Sequence, residues 1–199
     1  MVQPLEALQE TPSQTAGPFV HIGTVPTYAG LGGVYETELG RATFLDGARG
    51  EIVEISGRVL DGAGGLVRDA LFEVWQADAD GRYPGQDGAD PKVFGWARVC
   101  ADPESGEWRL RTVKPGRTRR RDGLEQAPHI AVWLIARGVN VGLQTRIYFA
   151  DEDNGGDPLL ARIDPKSRVD TLIAEKTGEG AYRFDIVLQG EGETVFFDM

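Results

Sequence analysis

Few side chains in this sequence have the types and spacing that chemistry needs. Histidine occurs twice, at His21 and His129, more than half the chain apart. No H-x-H, H-x-x-x-H or C-x-x-C is present, so no local metal cluster is written in the sequence. An iron site of two histidines and one carboxylate would need the fold to join His21 and His129. Otherwise each is a hydrogen-bonded structural residue. Nucleophilic catalysis is no better supplied, because G-x-S-x-G is absent. Ser13, Ser56, Ser105 and Ser167 fall in a proline-rich arm, a strand, a turn and a helix start. Cys100, the single cysteine, follows a strand and reads as a small buried apolar residue. No glycine-rich loop precedes a helix, so a phosphate cradle is not supported.

The arginines say more. Arg117, Arg119, Arg120 and Arg121 form a basic run ahead of His129. Such a run is either a solvated loop paired with nearby acids or a contact for an anion or partner. Arg137 ends an apolar strand as IARG, and Gly138 lets the backbone turn there. A guanidinium beside a buried strand needs a partner. That partner is either a carboxylate at the core edge or the carboxylate of a ligand, held in a bidentate fork.

What positions these residues is a chain of 199 residues with 31 acidic and 21 basic side chains and a formal charge of −10. An acidic chain repels phosphate backbones, which disfavours general nucleic-acid binding. The 27 glycines and 11 prolines point to many tight turns between short strands. The longest apolar run, residues 130–136, is far short of the ~20 residues that span a membrane. No basic stretch followed by an apolar core opens the sequence. A cytoplasmic location is expected.

Residues 1–50 carry little periodicity and read as an irregular arm. Phe19, Val20, Ile22, Tyr28, Leu31 and Tyr35 suggest that it lies on its own core or on a partner. Residues 51–199 form the expected domain. In EIVEISGRV, Val53, Ile55 and Val59 share one face, and Glu54, Ser56 and Arg58 the other. With 66–77 this reads as a hairpin. Residues 94–99, 108–113, 129–136, 145–149, 182–188 and 194–197 read as further strands. The stretch 129–136 is apolar on both faces and is expected to be central and doubly covered. One short C-terminal helix is expected, with Asp164 as N-cap, Pro165 at its first position and Gly178 as its stop. The fold class is all-β, a sandwich core with an irregular arm and that one helix.

Several segments carry a family likeness: TPSQTAGPFVHIG (11–23), LFEVWQADADGRYPG (71–85), LRTVKPG (110–116), APHI (127–130), ARGVN (136–140) and AYRFDIVLQGEGETVFFD (181–198). The chain resembles the intradiol ring-cleaving dioxygenases, and specifically the α chains of two-chain members. The resemblance implies a β-sandwich and a homologous β chain that holds Fe3+ through two tyrosines and two histidines. It implies higher αβ assembly and O2-dependent opening of a catechol acid such as protocatechuate to 3-carboxy-cis,cis-muconate, a step of aromatic catabolism.

The family's metal ligands map onto this chain only in part. The first ligand tyrosine is kept as Tyr83 and the first ligand histidine as His129. The second tyrosine position holds Arg117 and Thr118, the second histidine position Ala131, and the catalytic arginine position Gln126. By this resemblance Tyr83 and His129 are remnants, no residue of this chain is catalytic, and the chain alone is inactive. The α-chain arm of the family lines the active-site mouth, which points to Thr15, Gly17 and Pro18. The substrate-binding arginine of the family's α chains corresponds to Arg137. The stretches 57–75 and 105–116 also resemble transthyretin-like sandwiches, so the alternative is a non-catalytic binding module.

Overall fold

Alternation builds the first strand as its period requires. In β1 (Ile52–Leu60), Val53, Ile55 and Val59 are buried while Glu54 and Arg58 face solvent. The structure, a computed structural model, describes residues 14–17 and 19–198. Its other strands are β2 (Leu71–Gln76), β3 (Trp96–Cys100), β4 (Glu107–Val113), β5 (Thr118–Arg119), β6 (Glu125–Gln126), β7 (His129–Ile135), β8 (Leu143–Phe149), β9 (Ile173–Gly178), β10 (Ala181–Arg183) and β11 (Ile186–Val187). Pairing runs continuously in the order β11-β1-β10-β9-β8-β7-β2-β3, with β4 also on β1 and β5-β6 as a separate ribbon.

That path folds over itself into two facing layers. One core holds Ile55 and Leu110 from the β1/β4 layer together with Phe72, Val74, Val132 and Ile147 from the β2/β7/β8 layer. Burying such side chains contributes about 1.5–3 kcal/mol each. The all-β sandwich is therefore as expected. A second apolar cluster, including Tyr148 of β8, Leu160, Leu172 and Val195, packs the C-terminal segment.

Several local expectations change. Residues 51–60 and 66–77 do not form a hairpin beyond one bridge between Leu60 and Leu66. Instead β1 pairs with β4, β10 and β11, and β2 with β3 and β7, because the two strands enter opposite layers. Strand β7 is central, yet Trp133 on its outer face is 40% exposed, so only its inner face is fully covered.

The C-terminal helix is a 3-10 helix, Lys166–Leu172, preceded by a shorter one at Leu160–Arg162. Its N-cap is Pro165 without a side-chain bond, not Asp164. Ile173 and Ala174 leave it to pair in parallel with Tyr148 and Phe149, and Gly178 ends a strand. Long-range pairing overrides a local helix pattern here. Residues 194–197 contribute a single bridge, Phe197 to Gln144.

The arm is less irregular than its sequence suggests. A short helix, α1 (Phe19–Thr24), forms within it, and Thr43 and Phe44 are buried against the domain's own core. Among the described residues, no helix is long and apolar enough to cross a membrane.

Candidate functional site

Two regions bear on function, and the long strand β7 has one at each end. At its C-terminal end Gly138 turns the chain with φ +83°, a conformation glycine adopts freely. Thr15 from the arm clasps this turn. Its Oγ1 accepts from Gly138 N at 2.7 Å and donates to Ala136 O at 3.5 Å. Two residues on, Gly17 O accepts from Val20 N at 3.0 Å where α1 begins. Thr15 is thus brought to the turn that carries Arg137, Gly17 follows it in the arm at the start of α1, and Pro18 lies outside the described residues.

The Arg137 side chain is 75% exposed and its Nε donates to Asp69 Oδ2 at 2.8 Å. Among the described residues its two terminal nitrogens make no bond, so the fork remains open. An ion pair this exposed contributes little to stability, typically ~0–1 kcal/mol. Beside it lies an open cavity of about 820 Å³, whose lining includes His21, Tyr28, Arg68, Asp69 and Arg137. Tyr28 donates to Ala101 O, and its ring lies 5.3 Å from that of His21. Burial lowers the His21 pKa against the opposing pull of Asp69, so the ring is neutral at neutral pH. Asp69, His21 and Tyr28 were not singled out as a group in the sequence, since their meeting depends on the arm's return.

The N-terminal end of β7 carries the second region. Gly81, at φ +78°, packs its backbone against Arg117, where a Cβ would overlap the carbonyl. Buried Asp78 holds this loop by accepting from Asp80 N, Arg82 N and Asp90 N at 2.8–3.0 Å. The loop delivers Tyr83, whose ring stacks on Trp75 at 5.8 Å and 10°. Thr118 lies beside it and its Oγ1 donates to Gln126 Oε1 at 3.5 Å. His129 is buried and its Nδ1 donates to Ala127 O at 2.8 Å. The fold thus gathers Tyr83, Thr118 and Gln126 at the end of β7 that carries His129.

A cation stands among them. Arg146 lies directly across the strand pair from Ala131, and its Nη1 donates to the Tyr148 hydroxyl at 3.4 Å. Burial, then the Arg146 charge, brings the His129 pKa down to about 4. Burial pushes Tyr148 up to about 12 and raises Tyr83 too, each against the pull of Arg146. An arginine inside the strand TRIYF was the available signal for this group. Asp157, also buried, accepts from Ala127 N at 3.0 Å and from Leu159 N and Leu160 N at 2.8 and 3.1 Å.

The remaining candidates are structural. Arg117 meets Asp153, Arg119 meets Glu125 and Arg120 meets Asp122, so the basic run is largely a paired surface loop. Cys100 is half-buried, less than expected, because it ends the sheet-edge strand β3. Burial pushes its thiol up to about 12, which removes it as a nucleophile.

With this geometry stands a family. A model of the dioxygenase family matches residues 24–190. The chain belongs to the intradiol ring-cleaving dioxygenases. It is 46% identical over 200 residues to the protocatechuate 3,4-dioxygenase alpha chain of Pseudomonas putida, covering 98% of this chain and 99% of the relative. It is 38% identical over 164 residues to the corresponding beta chain of Burkholderia cepacia, covering 73% and 67%. The solved 3-chlorocatechol 1,2-dioxygenase of Rhodococcus opacus superposes with a TM-score of 0.56 at 19% identity, over 73% of this chain and 63% of that one, which speaks to the fold. A match along nearly the whole chain does not favour the transthyretin-like binding module.

Non-haem iron is expected in this family, but the residues at this position do not fit a ferric ion. Ala131 offers a methyl group and Thr118 a neutral hydroxyl where anionic or imidazole donors are needed. The Arg146 guanidinium sets a positive charge beside the two remaining donors. Among the described residues, no three His, Cys, Asp or Glu side chains group as metal ligands, and His21 and His129 do not line a common cavity.

Proposed function

We propose that this chain is the α subunit of a protocatechuate 3,4-dioxygenase that works in the cytoplasm. It has no catalytic residue of its own and completes the active site of a homologous β chain, which binds Fe3+. The iron supplies the O2 chemistry that opens the catechol ring between its oxygens. This chain supplies the wall and the charge at the mouth of that site. Arg137 receives the substrate carboxylate on its free terminal nitrogens, and Thr15, Gly17 and Pro18 shape the rim.

The observation that carries this reading is the Thr15 clasp. It draws the arm onto the turn that presents Arg137 and leaves a planar, permanently charged fork open to solvent. The apolar surface of the arm supports it. Phe19, Leu31, Val34, Leu39 and Leu45 are all exposed, Phe19 to 78%. The arm, residues 1–50, is proposed to bury these side chains against the β chain while residues 51–199 form the domain. Each Å² of apolar surface so covered contributes about 25 cal/mol.

The test is Arg137→Ala in the enzyme reconstituted with its β chain. Loss of one charge-assisted hydrogen bond costs about 1.5–3 kcal/mol, so the KM for protocatechuate should rise about ten- to a hundredfold. Catechol, which has no carboxylate, should be affected far less, and the melting temperature should hold. Equal losses on both substrates would remove Arg137 from substrate recognition. Iron should co-purify with the β chain and not with this chain alone.

A further inference from the structure

One charged cavity has no part in that function. It opens beside the disarmed metal position and has a volume of about 590 Å³. Four arginines reach it, Arg120, Arg146, Arg162 and Arg168, against the carboxylates of Asp164 and Asp198. This is a local excess of positive charge in a chain of formal charge −10. Two of the four are engaged elsewhere, Arg120 with Asp122 at 2.9 Å and Arg168 with Glu193 at 3.4 Å.

Arg146 and Arg162 differ. Neither forms an ion pair among the described residues. Nε of Arg146 is shielded from solvent and has no hydrogen-bond partner. A shielded, charged donor left unbonded is costly, and a ligand anion would remove that cost. Gln126 aside, the rest of the lining is apolar: Leu159, Ile163, Val195, Phe196 and Phe197.

We infer that this cavity binds a small aromatic monocarboxylate, with its carboxylate on Arg146 and Arg162 and its ring against the Phe196 and Phe197 wall. The charge pattern selects the class. A guanidinium fork matches a carboxylate in geometry. Asp164 and Asp198 repel a dianion such as phosphate, and an inorganic anion would leave the apolar wall wet. The site is separate from Arg137, which lines the other cavity.

The test is a titration of the full chain, in its native assembly, with 4-fluorobenzoate followed by 19F NMR. Four proteins are compared: the unaltered chain, Arg146→Gln, Arg162→Gln and Arg137→Gln. A saturable signal is expected that survives Arg137→Gln and weakens at least about tenfold in the other two variants, as for one lost charge-assisted bond. Arg162 lies on an exposed 3-10 helix, so its variant remains informative if Arg146→Gln fails to fold. Inorganic phosphate should compete poorly. The inference falls if no saturable signal appears up to about 10 mM ligand, a Kd weaker than about −3 kcal/mol of binding. It also falls if only Arg137→Gln removes the signal, or if phosphate displaces the ligand at lower concentration than benzoate does.

Discussion

The two ends of β7 use the same kinds of side chain to opposite effect. Each has an arginine, a histidine and a tyrosine close by. At the C-terminal end, Arg137 is exposed and among the described residues its side chain engages only Asp69. At the N-terminal end, Tyr83 stacks on Trp75, while Gln126, His129 and Asp157 direct their bonds to Thr118 and to backbone groups. Polar groups satisfied internally contribute to folding and have little left for a ligand. A donor left free at a surface contributes little to folding and is available for binding. The difference teaches that a position whose side chains do not fit a metal is not left empty. Apart from Arg146, whose Nε is left without a partner, that end is a structural joint, while at the opposite end the Arg137 fork stands open to solvent.

The sharpest way to break this comparison is Asp157→Ala. Its carboxylate accepts three backbone N–H bonds, and two of the donors, Ala127 N and Leu160 N, are buried with it. Deleting it leaves those donors unpaired at about 1–3 kcal/mol each, with partial recovery through water. The expected loss is about 3–5 kcal/mol by chemical denaturation. Asp69→Ala at the open end should cost under about 1 kcal/mol, since its partner Arg137 is largely solvated. Similar costs at the two sites would dissolve the distinction between joint and recognition edge.

The next effect depends on pH. His129 titrates near 4 in the folded chain against 6.5 for an unperturbed ring. Its folded pKa lies below its unfolded one, so on acidification the unfolded chain takes up the proton first. The stabilisation by the neutral ring is complete above about pH 6.5 and shrinks as the pH falls towards 4. At about 1.36 kcal/mol per unit the loss is about 3 kcal/mol. Stability measured by urea denaturation from pH 7 to pH 4 should fall more steeply for the natural chain than for His129→Gln. Parallel profiles would mean that the ring is not buried in its neutral form.

How legible was this in the sequence? The sandwich was, because Val53, Ile55 and Val59 alternate on a half-buried strand and the period of two survives any tertiary context. The partner of that strand was not. Residues 66–77 follow a good turn signal, yet pairing with β4 rather than β2 is decided by which layer each strand enters. Ile173 failed for a related reason: helical spacing over 165–173 is local, while the pairing with Tyr148 that claims it is not. At the candidate site, Thr15 and Arg137 were named from the family resemblance, but their meeting at the Gly138 turn depends on the path of the arm. Arg146 was missed because one charge in the apolar strand TRIYF carries no meaning until its cross-strand neighbour, Ala131, is known.

The smallest effect is the most discriminating for the open end. Thr15→Val keeps the shape of the side chain and removes both of its hydrogen bonds, to Gly138 N and Ala136 O. The first is short at 2.7 Å and sits at an exposed turn, where water can replace it. Global stability should therefore fall by no more than about 1 kcal/mol. If the bond serves to hold the arm beside Arg137, its loss loosens the rim without touching the guanidinium. The KM for protocatechuate should then rise a fewfold, less than for Arg137→Ala, and catechol should share part of that rise because the arm shapes the mouth for both. Thr15→Ser keeps the hydroxyl and should restore the natural values. A Thr15→Val enzyme with unchanged KM for both substrates would show that the clasp only tidies the chain terminus. A loss of stability as large as that of Asp157→Ala would instead move the arm into the structural joint, and the contrast between the two ends of β7 would no longer hold.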